Sequence, residues 1–226
     1  ALANNSVAYK TKPEMGTFMR EWLSLYDSKS GERGIFNRQS AIKQAAKNGR
    51  RDTEHDFGCN PCSEIILRPY QFCNLSEVVV RQSDTLDTLK EKVRWATLLG
   101  TFQATLTNFK YIRKIWKDNT EEERLLGVSL TGIMDNPMTS KSGERLNILL
   151  GILKDEAVRT NKEMSESLNI PQATAVTCVK PSGTVSQLTD AASGIHARHN
   201  PFYVRTVRGD NKDPLTQFLI SQGIPS

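Results

Sequence analysis

The segment from Cys59 to Glu64 carries the densest group of reactive side chains in the sequence. It reads Cys59-Asn60-Pro61-Cys62-Ser63-Glu64 and lies between a polar loop and an apolar run. A Cys-x-x-Cys pair is compatible with half of a zinc site, with a thioredoxin-type redox couple, or with two cysteines of which only one is functional. The other cysteines and histidines help to discriminate between these interpretations.

The remaining candidate ligands favour the third interpretation. A zinc site needs two more ligands, but Cys73 stands alone, Cys178 lies in an apolar run, and no second Cys-x-x-Cys or His-x₃₋₅-His pair is present. A thioredoxin motif should open a helix, whereas Pro69 and a third cysteine follow closely here. Cys178 suits a structural role as a small buried hydrophobic residue, and Cys62 does not.

Asn60, Cys62 and Glu64 alternate along the chain. On an extended segment, residues at positions i, i+2 and i+4 point to one side. We therefore predict that an amide, a thiol and a carboxylate face one substrate. Such a trio can hydrogen-bond a hydroxyl group, exchange a hydrogen atom or a proton through sulfur, and take up a proton as a general base.

This stretch resembles the Asn-x-Cys-x-Glu finger-loop motif of ribonucleotide reductases. The resemblance implies that Cys62 becomes a thiyl radical, that Glu64 deprotonates the ribose 3′-hydroxyl group, and that Asn60 hydrogen-bonds the ribose. Cys73 lies eleven residues after Cys62, the spacing of the second active-site cysteine in adenosylcobalamin-dependent (class II) enzymes. Cys73 is thereby implied to be one half of the dithiol that reduces the 2′ carbon.

A third motif, Lys-Pro-Ser-Gly-Thr-Val-Ser-Gln-Leu at residues 180–188, lies between a predicted strand and a helical stretch. Donors at a helix N-terminus bind phosphate well, because the helix dipole and the unsatisfied N–H groups both favour an anion. Taken alone, the segment is equally compatible with an ordinary turn. In ribonucleotide reductases the similar loop holds the substrate phosphates. The resemblance implies substrate binding by Pro181, Ser182, Gly183, Thr184 and Val185.

Two further stretches, residues 3–9 and 193–208, are similar to class II sequences and favour class II over class I. The resemblance thus extends from about residue 3 to about residue 208. We assign no catalytic role to His196 or His199, which lie in the second stretch.

The spacing of apolar residues predicts an α/β protein with mainly parallel strands, because helices separate buried strands. We predict strands at residues 6–9, 173–179 and 202–207. We predict helices at residues 13–26, 38–49, 84–117 (one long helix or two end to end), 121–132, 143–168 and 214–222.

Composition excludes several classes of protein. The 226 residues suffice for one domain or at most two, and 38% hydrophobic with 24% charged residues is typical of an ordinary globular chain. Neither a membrane span of about 18 apolar residues nor a signal peptide is visible, so we expect a cytoplasmic protein. The net charge is +5, but the basic residues are scattered, which does not favour nucleic-acid binding.

The resemblance further implies a fold and a reaction. The fold is a ten-stranded α/β barrel of the ribonucleotide reductase and glycyl radical enzyme type, with a central finger loop, of which residues 1–226 are a single fragment. The reaction is reduction of a ribonucleoside triphosphate to the 2′-deoxy product for DNA synthesis. Adenosylcobalamin is the implied cofactor, thioredoxin or a similar dithiol the reductant, and a deoxynucleotide the effector.

The sequence departs from the family pattern in three respects. Cys59 is not a required cysteine of the family, the partner of Cys73 would lie before Ala1, and the specificity region and C-terminal relay cysteines are absent. We therefore expect a fragment that does not turn over alone. The alternatives are a class I large subunit with a separate radical-generating subunit, a zinc or nucleic-acid binding module, and an inactive relative.

Overall fold

The computed structural model describes residues 9, 11–29, 35–204, 206 and 208–225. The α-helices in these residues are α1 (Met15–Ser28), α2 (Arg38–Ala46), α3 (Leu86–Gln103), α4 (Lys114–Glu123), α5 (Glu144–Leu168), α6 (Val185–Leu188) and α7 (Pro214–Ser221). The strands are β1 (Gly58–Cys59), β2 (Ile66–Leu67), β3 (Asn74–Val79) and β4 (Leu126–Thr131), and a 3₁₀ turn follows at Ile133–Asp135. The strand predicted at residues 6–9 lies outside the described residues, apart from Tyr9.

A parallel sheet forms the centre of the fold. Strands β3 and β4 pair in parallel from Asn74 opposite Leu126 to Val79 opposite Thr131. On the other side of β4, residues 173–178 run alongside it, and the Cys178 N–H donates to the Val128 carbonyl at 3.1 Å. The strand predicted at 173–179 is thus an extended segment with a single parallel bridge to β4.

Helices α3 and α5 cover one face of this sheet. Successive residues of a strand face opposite sides, so Leu126, Val128 and Leu130 of β4 pack toward the helices, with Leu89 and Val93 of α3 in the same core. The other face of β4 presents Gly127, Ser129 and Thr131. The candidate site lies on that second face.

The β1–β2 hairpin is antiparallel, with Gly58 opposite Leu67 and Cys59 opposite Ile66. The guanidinium of Arg51 fixes its base, because Nη1 donates to the Ile66 carbonyl at 2.9 Å. Nε and Nη2 of the same group donate to the two carboxylate oxygens of Glu123 at 2.9 and 2.8 Å. Each of these two side chains is 3% exposed, so the hairpin is tied to the end of α4 by a buried ion pair.

The helix predicted at residues 121–132 is wrong beyond Glu123, because residues 126–131 form β4. Arg124 has a left-handed conformation (φ 47°) that ends α4, and Gly132 (φ 76°) ends the strand. The apolar residues of β4, between these two stops, recur at every second position, 126, 128 and 130, which is the spacing of a strand and not of a helix. Strand β3 was also not predicted from the sequence.

The helix predicted at residues 84–117 is interrupted between α3 and α4. The Thr105 hydroxyl donates to the Phe102 carbonyl at 2.7 Å, and Arg124 Nη1 donates to the Ala104 carbonyl at 2.5 Å. These side-chain donors satisfy carbonyl groups that a continuing helix would use, and thereby stabilise its end.

The remaining predicted elements have mixed outcomes. The helices expected near residues 13–26, 143–168 and 214–222 are confirmed as α1, α5 and α7, and α2 ends three residues before the predicted limit at Gly49. Residues 202–204 and 206 contain no strand where one was expected. The α/β class is confirmed, but the described residues do not form a closed barrel. No helix among them is long and apolar enough to cross a membrane.

The buried ion pair leads to a stability prediction. Arg51→Met leaves the Glu123 carboxylate buried without its cation, and we expect the free energy of unfolding to fall by about 3–5 kcal/mol in urea denaturation. The control is Lys114→Met, because Lys114 pairs with Asp118 at an exposed position on α4 and should change stability by less than about 1 kcal/mol. Equal losses in the two variants would contradict the prediction.

Candidate active site

The hairpin tip is a tight turn and not the extended segment that the sequence predicted. The Ser63 N–H donates to the Asn60 carbonyl at 2.9 Å, and Ser63 has a left-handed conformation with φ 64°. Asn60 closes the turn, since its Oδ1 accepts from the Ile65 N–H at 3.0 Å. The turn leaves the Cys62 side chain exposed and directs the Glu64 side chain inward, where it is 4% exposed. Cys62 therefore does not face the same side as Glu64, contrary to the prediction that Asn60, Cys62 and Glu64 share one side.

Glu64 contacts the third motif directly. Its Oε1 atom accepts a hydrogen bond from Lys180 Nζ at 2.8 Å, across 116 residues of sequence. The other oxygen, Oε2, is buried and has no hydrogen-bond partner among the described residues. The hairpin tip and the entrance of the predicted phosphate loop are thus joined by one ion pair.

The environment keeps Glu64 ionised. Burial alone would raise the pKa of its carboxyl group, but Lys180 and, to a lesser degree, Asn60 lower that pKa by more, so that the net pKa lies below its ordinary value. Glu64 is therefore a carboxylate at neutral pH, with one oxygen paired and the other free to accept a proton. The same contact raises the pKa of Lys180, so the lysine is charged.

A cavity of about 630 Å³ is lined by residues of the first two motifs and by the segment that precedes the third. Its lining includes Glu64 from the hairpin, Cys73 directly before β3, and Cys178 from the extended segment beside β4. Burial, followed by the proximity of Cys178, raises the pKa of Cys73 to about 12. Burial, followed by the charge of Glu64, raises the pKa of Cys178 to about 12 as well. Both groups are thus protonated thiols, whereas Cys62 lies at the exposed tip.

Gly127 allows the hairpin to approach β4 closely. A Cβ atom at this position would lie 2.5 Å from Leu75 Cδ2, 3.2 Å from Cys178 Sγ and 3.3 Å from Ile65 Cδ1. A side chain at this position would require Leu75 to shift and would press on Cys178 and on Ile65 of the hairpin.

The loop at residues 181–185 has one buried and four exposed members. Ser182 is buried with a left-handed conformation (φ 51°), and its hydroxyl has no partner among the described residues, whereas Pro181, Gly183, Thr184 and Val185 are exposed. The four-residue helix α6 follows, as the motif predicted. Ser193 supports the loop, because its hydroxyl donates to the carbonyls of Pro181 and Ser182 at 3.0 and 2.9 Å.

Residues that the sequence analysis left without a role also contribute to this region. Arg198 donates to Asp135 at 2.9 Å and to Asp190 at 2.6 Å, and so ties the segment after the loop to the end of β4. The His199 ring meets the Tyr203 ring edge to face. The sequence analysis treated Lys180 only as the first residue of the third motif. Its position directly before the predicted phosphate loop was the one feature of the sequence that indicated a role in the site. Among the described residues, no three His, Cys, Asp or Glu side chains lie together as a metal-binding group.

Comparison with known proteins gives a consistent result. No protein-family model matches the chain. An adenosylcobalamin-dependent ribonucleoside-triphosphate reductase from Lacticaseibacillus paracasei is 27% identical over 98% of this chain. The enzyme of the same name from Euglena gracilis is 30% identical over 86% of it. The chain covers 32% and 26% of these two proteins, so it spans about a third or less of the length of its curated relatives.

A solved structure described as a B12-dependent (class II) ribonucleotide reductase matches this fold with a TM-score of 0.51 and 25% identity, over 66% of this chain and 23% of that one. The resemblance to class II ribonucleotide reductases is confirmed. This similarity was found for the sequence and the fold as a whole, and it does not test individual residues. The roles of Asn60, Cys62, Glu64 and Cys73 therefore remain predictions.

Thiol reactivity tests the arrangement of the cysteines. At pH 8, a pKa of about 12 leaves about one Cys73 in ten thousand as the thiolate, and Cys178 is similar. We expect iodoacetamide to label exposed Cys62 much faster than either buried thiol, as measured by peptide mass spectrometry. Cys62→Ser should remove the fast label, and urea should equalise the rates. Rapid labelling of folded Cys73 would contradict this geometry.

Hairpin docking gives a second prediction for this site. Gly127→Ala places a methyl group against Leu75, Cys178 and Ile65, and we expect a loss of about 1–3 kcal/mol in the free energy of unfolding, together with faster alkylation of Cys178. The matched control is Gly100→Ala in α3, where the nearest atom to a Cβ would be 3.5 Å away. Because alanine favours a helix, this control should not destabilise the protein. An unchanged Gly127→Ala variant would show that the hairpin packs elsewhere.

Proposed function

We propose that the chain forms the substrate-reducing core of an adenosylcobalamin-dependent ribonucleoside-triphosphate reductase. The observation that carries the proposal is the contact between Glu64 and Lys180, 2.8 Å long. It joins the finger-loop motif to the predicted phosphate loop, and Cys73 lines the same cavity as Glu64. The first two motifs, which are close in sequence, thereby meet the third across 116 residues, and this meeting supports the proposal.

Glu64 has the properties of the base in this proposal. Its free Oε2 atom is a buried acceptor beside the cavity, and its lowered pKa keeps the group ionised at neutral pH. A ribose 3′-hydroxyl group within hydrogen-bond distance of Oε2 would give up its proton there. Asn60 uses its Oδ1 to close the hairpin turn and its NH₂ group acts on the Glu64 carboxyl group, so a second hydrogen of the same NH₂ group would donate to a ribose hydroxyl.

Cys73 has the properties of a proton and hydrogen source. Its raised pKa keeps the thiol protonated, which suits a group that protonates the departing 2′-hydroxyl. We propose that Cys73 is half of the dithiol that ends the reaction as a disulfide, with a partner outside this chain.

The position of Cys62 allows access by a cofactor that generates radicals. Adenosylcobalamin, when bound, supplies the radical chemistry that removes a hydrogen atom from a thiol. Cys62 is exposed at the hairpin tip and is thus accessible to a large cofactor, while Glu64 on the same turn faces the cavity. The turn holds the thiol within the electrostatic reach of Lys180.

The rest of the proposal concerns the larger assembly. Exposed residues of the 181–185 loop would hold the triphosphate, and β3, β4 and the extended segment beside them would contribute parallel strands to a ten-stranded barrel. Residues 1–226 would be a single part of that barrel domain. Thioredoxin or a similar dithiol as reductant, a deoxynucleotide as effector and a cytoplasmic location follow from the resemblance and remain predictions.

An activity assay of the complete protein tests the proposed function. We expect reduction of a ribonucleoside triphosphate with a dithiol reductant to require adenosylcobalamin and to be abolished by Cys62→Ser. The matched control is Cys59→Ser, three residues away, which should keep activity within about three-fold because no step uses Cys59. Activity that needs a separate radical-generating subunit would make the protein class I. No reduction under either condition would overturn the enzyme assignment.

A further inference from the structure

The ion pair between Lys180 and Glu64 connects two parts of the site that the proposed reaction uses separately. Glu64 lies at the tip of the hairpin, and Lys180 directly precedes the loop at residues 181–185. Their contact at 2.8 Å is formed by a glutamate side chain that is 4% exposed and a lysine side chain that is 29% exposed. The lysine therefore retains access to solvent on the side of the loop.

Lys180 is the cation that compensates the buried charge of Glu64. Only Oε1 is paired, and Oε2 has no hydrogen-bond partner among the described residues. The other titratable groups that line the cavity or act on this pair are Arg50, Arg51, Cys62, Cys73, Lys154 and Cys178. Arg51 already forms an ion pair with Glu123. Loss of Lys180 would therefore leave the Glu64 carboxylate without a hydrogen-bonded cation.

The backbone at Lys180 is fixed, whereas its side chain can change partner. Gly194, in a left-handed conformation (φ +53°), packs so closely that a Cβ atom would lie 2.8 Å from the Lys180 carbonyl oxygen. Ser193 holds the next carbonyl, that of Pro181, at 3.0 Å. A lysine carries its charge on a flexible four-carbon stem, so the ammonium can move while the loop stays in place.

We propose that Lys180 is a positioning residue that moves from Glu64 to the substrate phosphates, so that phosphate binding at residues 181–185 releases Glu64 to act as the base. This inference rests on the proposed function. A triphosphate carries several negative charges and forms strong charge-assisted hydrogen bonds with an ammonium group. Once the ammonium leaves, burial dominates the environment of Glu64, and its carboxylate becomes more basic. A base whose pKa lies nearer the working pH transfers protons more efficiently.

The proton uptake that accompanies anion binding tests whether Lys180 changes its partner. This measurement does not depend on enzymatic activity. We measure binding of inorganic triphosphate to the complete protein by calorimetry, in buffers of different ionisation enthalpy, from about pH 4 to pH 6, a range that begins near the ordinary pKa of a glutamate side chain and extends above it. Binding should be accompanied by uptake of protons, because it raises the pKa of Glu64. Glu64→Gln and Lys180→Met should each lose this uptake, and the ionisation of triphosphate itself is common to all three proteins. Equal proton uptake by wild type and Glu64→Gln would overturn the proposal.

Steady-state kinetics of triphosphate reduction tests the same exchange during turnover. The acid limb of kcat/KM reports the free enzyme, and that of kcat reports the substrate complex. In Lys180→Met the limb of kcat/KM should move to higher pH by about 1–3 units, while the limb of kcat stays in place. Lys180→Arg keeps a cation and should retain the wild-type limb. A parallel shift of both limbs would assign Lys180 a purely structural role.

The two experiments separate failure of this inference from failure of the proposed function. If the wild type reduces no ribonucleotide, the proposed function is wrong, and the calorimetric comparison still decides whether Lys180 moves. If the wild type is active but takes up no more protons than Glu64→Gln, only the inference about Lys180 is wrong. If Lys180→Met does not fold, wild type, Glu64→Gln and Lys180→Arg still provide the comparison.

Discussion

Arg51 and Glu123 form a buried ion pair at the base of the hairpin, and the other parts of the site are arranged around it. Burying two charges is costly unless their hydrogen bonds are satisfied. Here Arg51 also donates to the Ile66 carbonyl and to Gln71, while Gln71 donates in turn to Glu123. One network thus fixes the start of β2, the approach to Cys73 and the end of α4. The hairpin tip then reaches Lys180 from a rigid base.

The sequence predicted the long helices better than the strands. Helices α1 and α5 show a sustained apolar spacing, and tertiary contacts did not override it. Strand β4 has only six residues, with apolar side chains on one face and small or hydroxyl-bearing ones on the other. This alternation is typical of a strand, and the helix predicted at residues 121–132 did not take it into account. Its true ends are set by the backbone conformations of Arg124 and Gly132, which composition does not reveal.

The motifs were predicted to belong to one site, and the structure brings Glu64, Cys73 and Lys180 together. The orientation of the hairpin side chains was not predicted, because alternation in sequence implies a common face only for an extended chain. The left-handed conformation of Ser63 breaks that condition. The contact between Glu64 and Lys180 depends on the sheet order, which places residues 173–178 beside β4. Local sequence spacing carries no information about that order.

The parallel arrangement also has a consequence for how the protein is made. Glu64 and its partner Lys180 are 116 residues apart, and the strands between them pair only after helices α3, α4 and α5 have crossed over. Contacts between such distant residues form late, since loop closure must precede them. During synthesis the Cys73 thiol, which is largely buried in the folded protein, emerges long before residues 174–179, which line the same cavity. A nascent chain therefore carries this thiol uncovered for much of its elongation, and a reducing environment would protect it from oxidation during that interval.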